Sequence, residues 1–177
     1  MKVPSYVVET EAYFSNDEIY RYYLGRYFKP KKEGVLDEYL YWIMLNPSTA
    51  TKNEDDRSVR KCTEIAKRLD YDGCVILNLF ALRSTDPNEL YKHPKPIGEF
   101  NDLYLLLITS IPVTIVCAWG NHGLFQDRYK KIINLIKESQ VDLKVKCIGK
   151  NKSGMPKHPL YARTDSLLQD YPYMELG

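Results

Sequence analysis

Apolar positions in this chain fall into short runs separated by polar stretches, and their spacing alternates between strand and helix. Tyr6-Val7-Val8 and Ile19 to Phe28 are rich in β-formers, with Ser15-Asn16-Asp17 supplying turn chemistry between them. That pattern predicts a hairpin over residues 5–28. Lys29 to Gly34 reads as a basic loop, and Leu36 to Leu45 as an increasingly apolar strand ending at Asn46-Pro47. Ser48 to Asp55 is polar except for Ala50. Val59, Cys62, Ala66 and Leu69 then recur at helical spacing, predicting an amphipathic helix over 56–69 with Asp55 or Asp56 as its N-cap. Cys74 to Leu79 predicts a second strand. A strand–helix–strand unit of this length implies a right-handed parallel crossover.

The alternation continues. Ser84-Thr85-Asp86-Pro87 predicts a helix start with proline at the first helical position, running to about Lys92 and broken by His93-Pro94-Lys95-Pro96. Phe100 to Thr109 predicts an apolar helix, and Val113 to Ala118 a third strand ended by Trp119-Gly120. Phe125, Tyr129, Ile132, Ile133 and Ile136 place a stripe on the next helix. Leu143 to Ile148 predicts a fourth strand, Gly149 to Pro156 a loop that delivers His158, and Asp165 to Gln169 a last helix. The expectation is one α/β domain over 1–177, with a hairpin at about 5–28 and a core at about 36–170. Its architecture would be three-layer α/β/α around a central four-stranded parallel sheet.

Composition changes this picture in three places. Tyrosine dominates the aromatic set, with 15 Tyr against 5 Phe and 2 Trp. Tyr suits half-buried hairpins and base-stacking grooves alike. The net charge of +2 excludes a chain that binds nucleic acid by bulk charge. Leu143 to Thr164 nevertheless holds Lys144, Lys146, Lys150, Lys152, Lys157 and Arg163 and no acid; such a run is either a solvated face or a patch that meets phosphate. Finally, Cys62, Cys74, Cys117 and Cys147 form no C-x-x-C pair, and the histidines are scattered. No metal and no cofactor are expected. There is no apolar signal core or bilayer-length run, so a cytoplasmic monomer with reduced thiols and no membrane partner is expected.

The candidate chemistry sits at the predicted strand ends. Asn46-Pro47-Ser48, Asn78, Trp119-Gly120 and His158-Pro159-Leu160 each follow an apolar run or lie just past one. In an open α/β sheet, ligands bind outside the carboxyl ends of the strands. Four such ends would compose one pocket, and a pocket of that kind suggests an enzyme.

The strings "MLNPSTA", "DDRSVRKC", "LNLFALRSTDP", "AWGNHG" and "GKNKSGMPKHPLY" resemble, in the same order, a bacterial and phage family known as domain of unknown function 1643. The resemblance covers roughly residues 20–165 and implies no chemistry by itself. More distantly, the order of strand ends resembles the uracil-DNA glycosylase superfamily. Met44-Leu45-Asn46-Pro47-Ser48 is similar to that group's first motif, Leu77-Asn78 to its second-strand asparagine, Trp119-Gly120-Asn121-His122-Gly123 to its third-strand string, and His158-Pro159-Leu160 to its histidine–proline loop.

That second resemblance implies a glycosylase-like enzyme cleaving the N-glycosidic bond of a modified pyrimidine in DNA or a nucleotide. Asn46 would hold a water and His158 would stabilise the departing base; these are the candidate catalytic residues. Pro47 would fix the loop, Asn78 would read a base edge, Trp119 and Gly120 would contribute to the substrate site, and Leu160 would act as a wedge. Ser48 stands where thymine-excluding relatives carry a bulky Tyr, which implies room for a 5-substituent. Arg83, Lys150, Lys152 and Lys157 are the candidate phosphate contacts, with Asp86 as the alternative partner of Arg83. Leu160-Tyr161 departs from the group's Ser-Pro, which leaves the wedge and duplex DNA open. Asp55 or Asp56 is either a helix start or a carboxylate near the Asn46 water. Two other readings stand beside this one: a non-catalytic binder of a nucleotide or nucleic acid on the same fold, and, last, a metal hydrolase using Asp55 or Asp56.

Overall fold

The computed structural model describes residues 1–30, 38–163 and 165–172. The expected positions 31–37, part of the basic loop and the start of its following strand, lie outside the described residues. The chain forms β1 (Glu9–Phe14), β2 (Arg21–Tyr27), β3 (Tyr39–Met44), α1 (Arg57–Arg68), β4 (Gly73–Asn78), α2 (Asn88–Lys92), α3 (Asn101–Thr109), β5 (Thr114–Cys117), α4 (Arg128–Glu138), β6 (Lys144–Cys147) and β7 (Gln169–Asp170). The strands make one mixed sheet in the order β1-β2-β4-β3-β5-β6-β7.

Its centre, β4-β3-β5-β6, is parallel, with Met44 opposite Asn78 and Ile43 opposite Cys117. The unbroken apolar runs of β3 and β4 follow from burial on both faces. On one face Leu40, Trp42, Met44, Cys74, Ile76 and Val116 pack against Val59, Cys62, Ile65 and Ala66 of α1. On the other, Tyr41, Ile43, Val75, Leu77, Ile115 and Cys117 pack against Leu105 and Ile108 of α3 and Tyr129, Ile132, Ile133 and Ile136 of α4. The molecule is thus an α/β protein with helices on both faces of a mixed, seven-stranded sheet.

Three expectations change. The N-terminal hairpin is not an appendage: β2 pairs antiparallel with β4, so the hairpin extends the main sheet. The helix expected over Asp165–Gln169 does not form, and Gln169–Asp170 instead pairs antiparallel with β6. A five-residue helix is too short to stand without a buried face, whereas the edge of β6 offers backbone groups that need partners. The helix expected from Phe125 begins later, because Phe125 is extended and Gln126 and Asp127 adopt φ of 52° and 53°.

Most tyrosines of the hairpin are spent on packing. Tyr22 stacks on Tyr20 and on Tyr104 of α3, and Tyr13 stacks on Tyr104.

Candidate functional site

Within the parallel centre, β3 connects through α1 to β4 on one side, while β5 connects through α4 to β6 on the other. The crevice beyond β3 and β5 is therefore the switch point where open α/β sheets bind ligands. A cavity of about 500 Å³ lies there, a volume suited to a small-molecule group or one nucleotide. Its wall includes Asn46 and Ser48 after β3, Trp119 and Gly120 after β5, and His158 and Leu160 from the last loop. A second recess of about 880 Å³, between the hairpin turn and Pro94–Phe100, lies away from the strand ends.

Each wall residue is held by a local cause. The Asn46 amide nitrogen donates to the carbonyls of Pro47 at 3.0 Å and Ser84 at 2.9 Å, and more weakly to that of Leu82. With its nitrogen engaged, Asn46 has its amide oxygen left to offer as an acceptor. Gly120 turns the chain at φ 68°, ψ −169°, a conformation open essentially to glycine alone. Trp119 is buried against Gly123, where an added Cβ would come within 2.2 Å of the indole.

His158 caps the short 3-10 turn Pro159–Tyr161, and its Nδ1 accepts the Leu160 N–H at 3.3 Å. Burial pushes its pKa down to about 4, against a weaker upward pull from Asp56. The ring is therefore neutral near pH 7. With Nδ1 accepting, the proton is assigned to Nε2, which makes His158 a donor.

Asp55 and Asp56, adjacent in sequence, have separate tasks. Asp55 is buried in an ion pair with Arg26, Oδ1 to Nε at 2.9 Å, and does not reach the cavity. Asp56 caps α1, accepting the Val59 N–H at 2.9 Å, and also stands on the cavity wall. Helix start and site carboxylate, which the sequence leaves as alternatives, are compatible at Asp56. Among the described residues no group of three His, Cys, Asp or Glu side chains is arranged to hold a metal.

Several expected site residues lie off the cavity wall. Pro47 is buried, and its carbonyl is occupied by Asn46 and Ser84. Asn78 is 1% exposed within the sheet, and neither end of its amide has a hydrogen-bond partner among the described residues. Arg83 donates to the Glu18 carbonyl and lies over the Phe14 ring, so it ties the hairpin turn down. Lys150, Lys152 and Lys157 are also outside the wall, although Asn151 of the same loop reaches it. Conversely, Arg21, Ser58, Ser84, Thr85, His122 and Tyr161 line the cavity without having been expected there. Arg21 carries one readable signal: a charged residue set in a run of β-formers.

No curated protein and no solved structure matches the chain. No helix among the described residues is long and apolar enough to cross a membrane. The family model described as "Protein of unknown function (DUF1643)" matches residues 21–160, a span that contains every strand of the sheet's centre and nearly all of the cavity wall, and the chain belongs to that family.

Proposed function

We propose that this protein is a glycosylase-like hydrolase that cleaves the N-glycosidic bond of a 5-substituted pyrimidine carried in DNA or a nucleotide. The observation that supports it most is the joint presence of Asn46, Asp56 and His158 on one cavity wall. Breaking this bond leaves positive charge on the sugar and negative charge on the base. Neutral His158, whose Nε2–H has no partner among the described residues, would stabilise the charge on a base carbonyl oxygen as it develops. The Asn46 amide oxygen and the Asp56 carboxylate would hold a water against the anomeric carbon. The water oxygen forms the new C1′–O bond as the C1′–N bond breaks, and the water's proton passes to Asp56. Asp56 thus supplies the carboxylate that Asn46 is not. Ser48 is small and leaves space beside the base. Leu160 and Tyr161, 46% and 82% exposed at the wall's edge, suit a group that fills a base stack after extrusion.

The test is base release from oligonucleotides and mononucleotides carrying 5-substituted pyrimidines. Asp56→Asn keeps a good N-cap and removes only the charge, so it should fold while losing about 100-fold or more in rate. His158→Ala should lose a similar factor. Undetectable release across the panel, or full activity in both variants, would overturn the reading; tight binding without turnover would mark a non-catalytic nucleotide binder.

A further inference from the structure

Arg21, at the start of β2, is 1% exposed and belongs to the cavity wall. Its Nη1 donates to the Ala50 carbonyl at 2.8 Å, while its Nε has no partner among the described residues. Arg21 forms no ion pair there either. The neighbouring buried Arg26 has taken Asp55. Asp56, whose field reaches Arg21, is engaged by the Val59 N–H and makes no salt bridge with it. A buried guanidinium with spare donors is costly unless an anion meets it. The first turn of α1, with Ser58 on the same wall, adds the positive end of a helix dipole.

We infer that Arg21 is the phosphate anchor of the cavity, so that its ligand is a nucleotide and not a free nucleoside or base. The identity of the rest of the ligand rests on the base-removal reading above; the anion site does not. A planar guanidinium matches two phosphate oxygens at once. The lysines of the 143–164 run, off the wall, are not needed for this contact. The phosphate has two sources: the 5′-monoester of a free nucleotide, or a diester of a DNA strand.

The test titrates the protein calorimetrically at low salt with thymidine, thymidine 5′-monophosphate, inorganic phosphate and a short single-stranded oligonucleotide. The monophosphate should bind at least about tenfold more tightly than the nucleoside, and inorganic phosphate should compete with it. If only the oligonucleotide shows that advantage, still competed by phosphate, the source is the diester. Arg21→Gln, shown folded by circular dichroism, should erase the advantage, and Arg21→Lys should retain part of it. If Arg21→Gln does not fold, the wild-type comparison decides, together with the His158 ring NMR signals, which should move on phosphate addition. Equal binding of nucleoside, monophosphate and oligonucleotide, phosphate that leaves the His158 signals unmoved, or an unchanged preference in folded Arg21→Gln overturns the inference. Base release with no phosphate preference would leave the hydrolase reading standing alone. Phosphate preference without base release would leave the anchor standing alone.

Discussion

The loop from Ser48 to Asp56 carries two wall residues, and a buried ion pair holds it in place. Arg26 and Asp55 have fully buried side chains, paired at 2.9 Å. The same guanidinium also donates to the carbonyls of Gly25 at 3.0 Å, Thr51 at 2.6 Å and Glu54 at 3.3 Å. Arg60 reaches the other Asp55 oxygen at a looser 3.4 Å, from a partly exposed position. Asp55→Ala leaves the Arg26 charge buried with carbonyl partners only. Breaking a buried pair from one side costs about 3–5 kcal/mol, a large share of a typical domain stability of about 5–15 kcal/mol. Asp55→Asn keeps an oxygen for the Arg26 Nε and should lose less, roughly 2 kcal/mol. Replacing both partners with apolar side chains, Arg26→Met with Asp55→Leu, should recover most of the loss, because neither charge is then stranded. Urea unfolding followed by the fluorescence of buried Trp42 and Trp119 measures all four proteins. A loss below about 1 kcal/mol in Asp55→Ala, or a double variant no more stable than Asp55→Ala, would refute the argument.

Two further outcomes follow from the site. Gly120→Ala has room for its methyl, since the nearest heavy atom would lie 3.9 Å away, yet it must adopt φ near 68°; thermal melting should show a loss of about 1–3 kcal/mol from backbone strain alone. His158 has a folded-state pKa of about 4, below the usual histidine value. The unfolded chain therefore binds its proton first on acidification, so stability should fall as pH drops from about 6.5 to 4, by at most about 3 kcal/mol. A His158→Gln variant with the same pH slope in urea midpoints would contradict that assignment.

Much of the cavity wall was legible because strand ends are legible. Asn46, Ser48, Trp119, Gly120, His158 and Leu160 follow apolar runs or a proline-marked loop, and the sheet's topology carries them to one crevice. Asn78 shows the limit of that logic. It also ends an apolar run, but on β4, one strand removed from the β3–β5 crevice, and its side chain is buried on the sheet face that carries Ile76. Asn46 stands two residues past Met44, where the chain has left the ladder. A polar residue at the end of an apolar run looks the same in both cases; the strand order in the sheet separates them. The placement of the basic run was not legible either, since net charge along a segment does not say which side chains face a cavity.

Local order in this protein was written in its covalent neighbours. The double-sided apolar runs of β3 and β4 and the helical spacing of Val59, Cys62 and Ala66 depend on residues a few positions apart, so the sequence alone determined them. α3 is apolar nearly all round, and only packing decided that Leu105 and Ile108 turn inward while Leu103 and Leu107 stay half exposed. Tertiary structure alone also divided Asp55 from Asp56, recruited Gln169–Asp170 to the edge of β6, and set Arg21 on the wall beside Asp56 and His158. These outcomes join segments distant in the chain. Burial and charge pairing settle them, through groups that meet only once the sheet has closed.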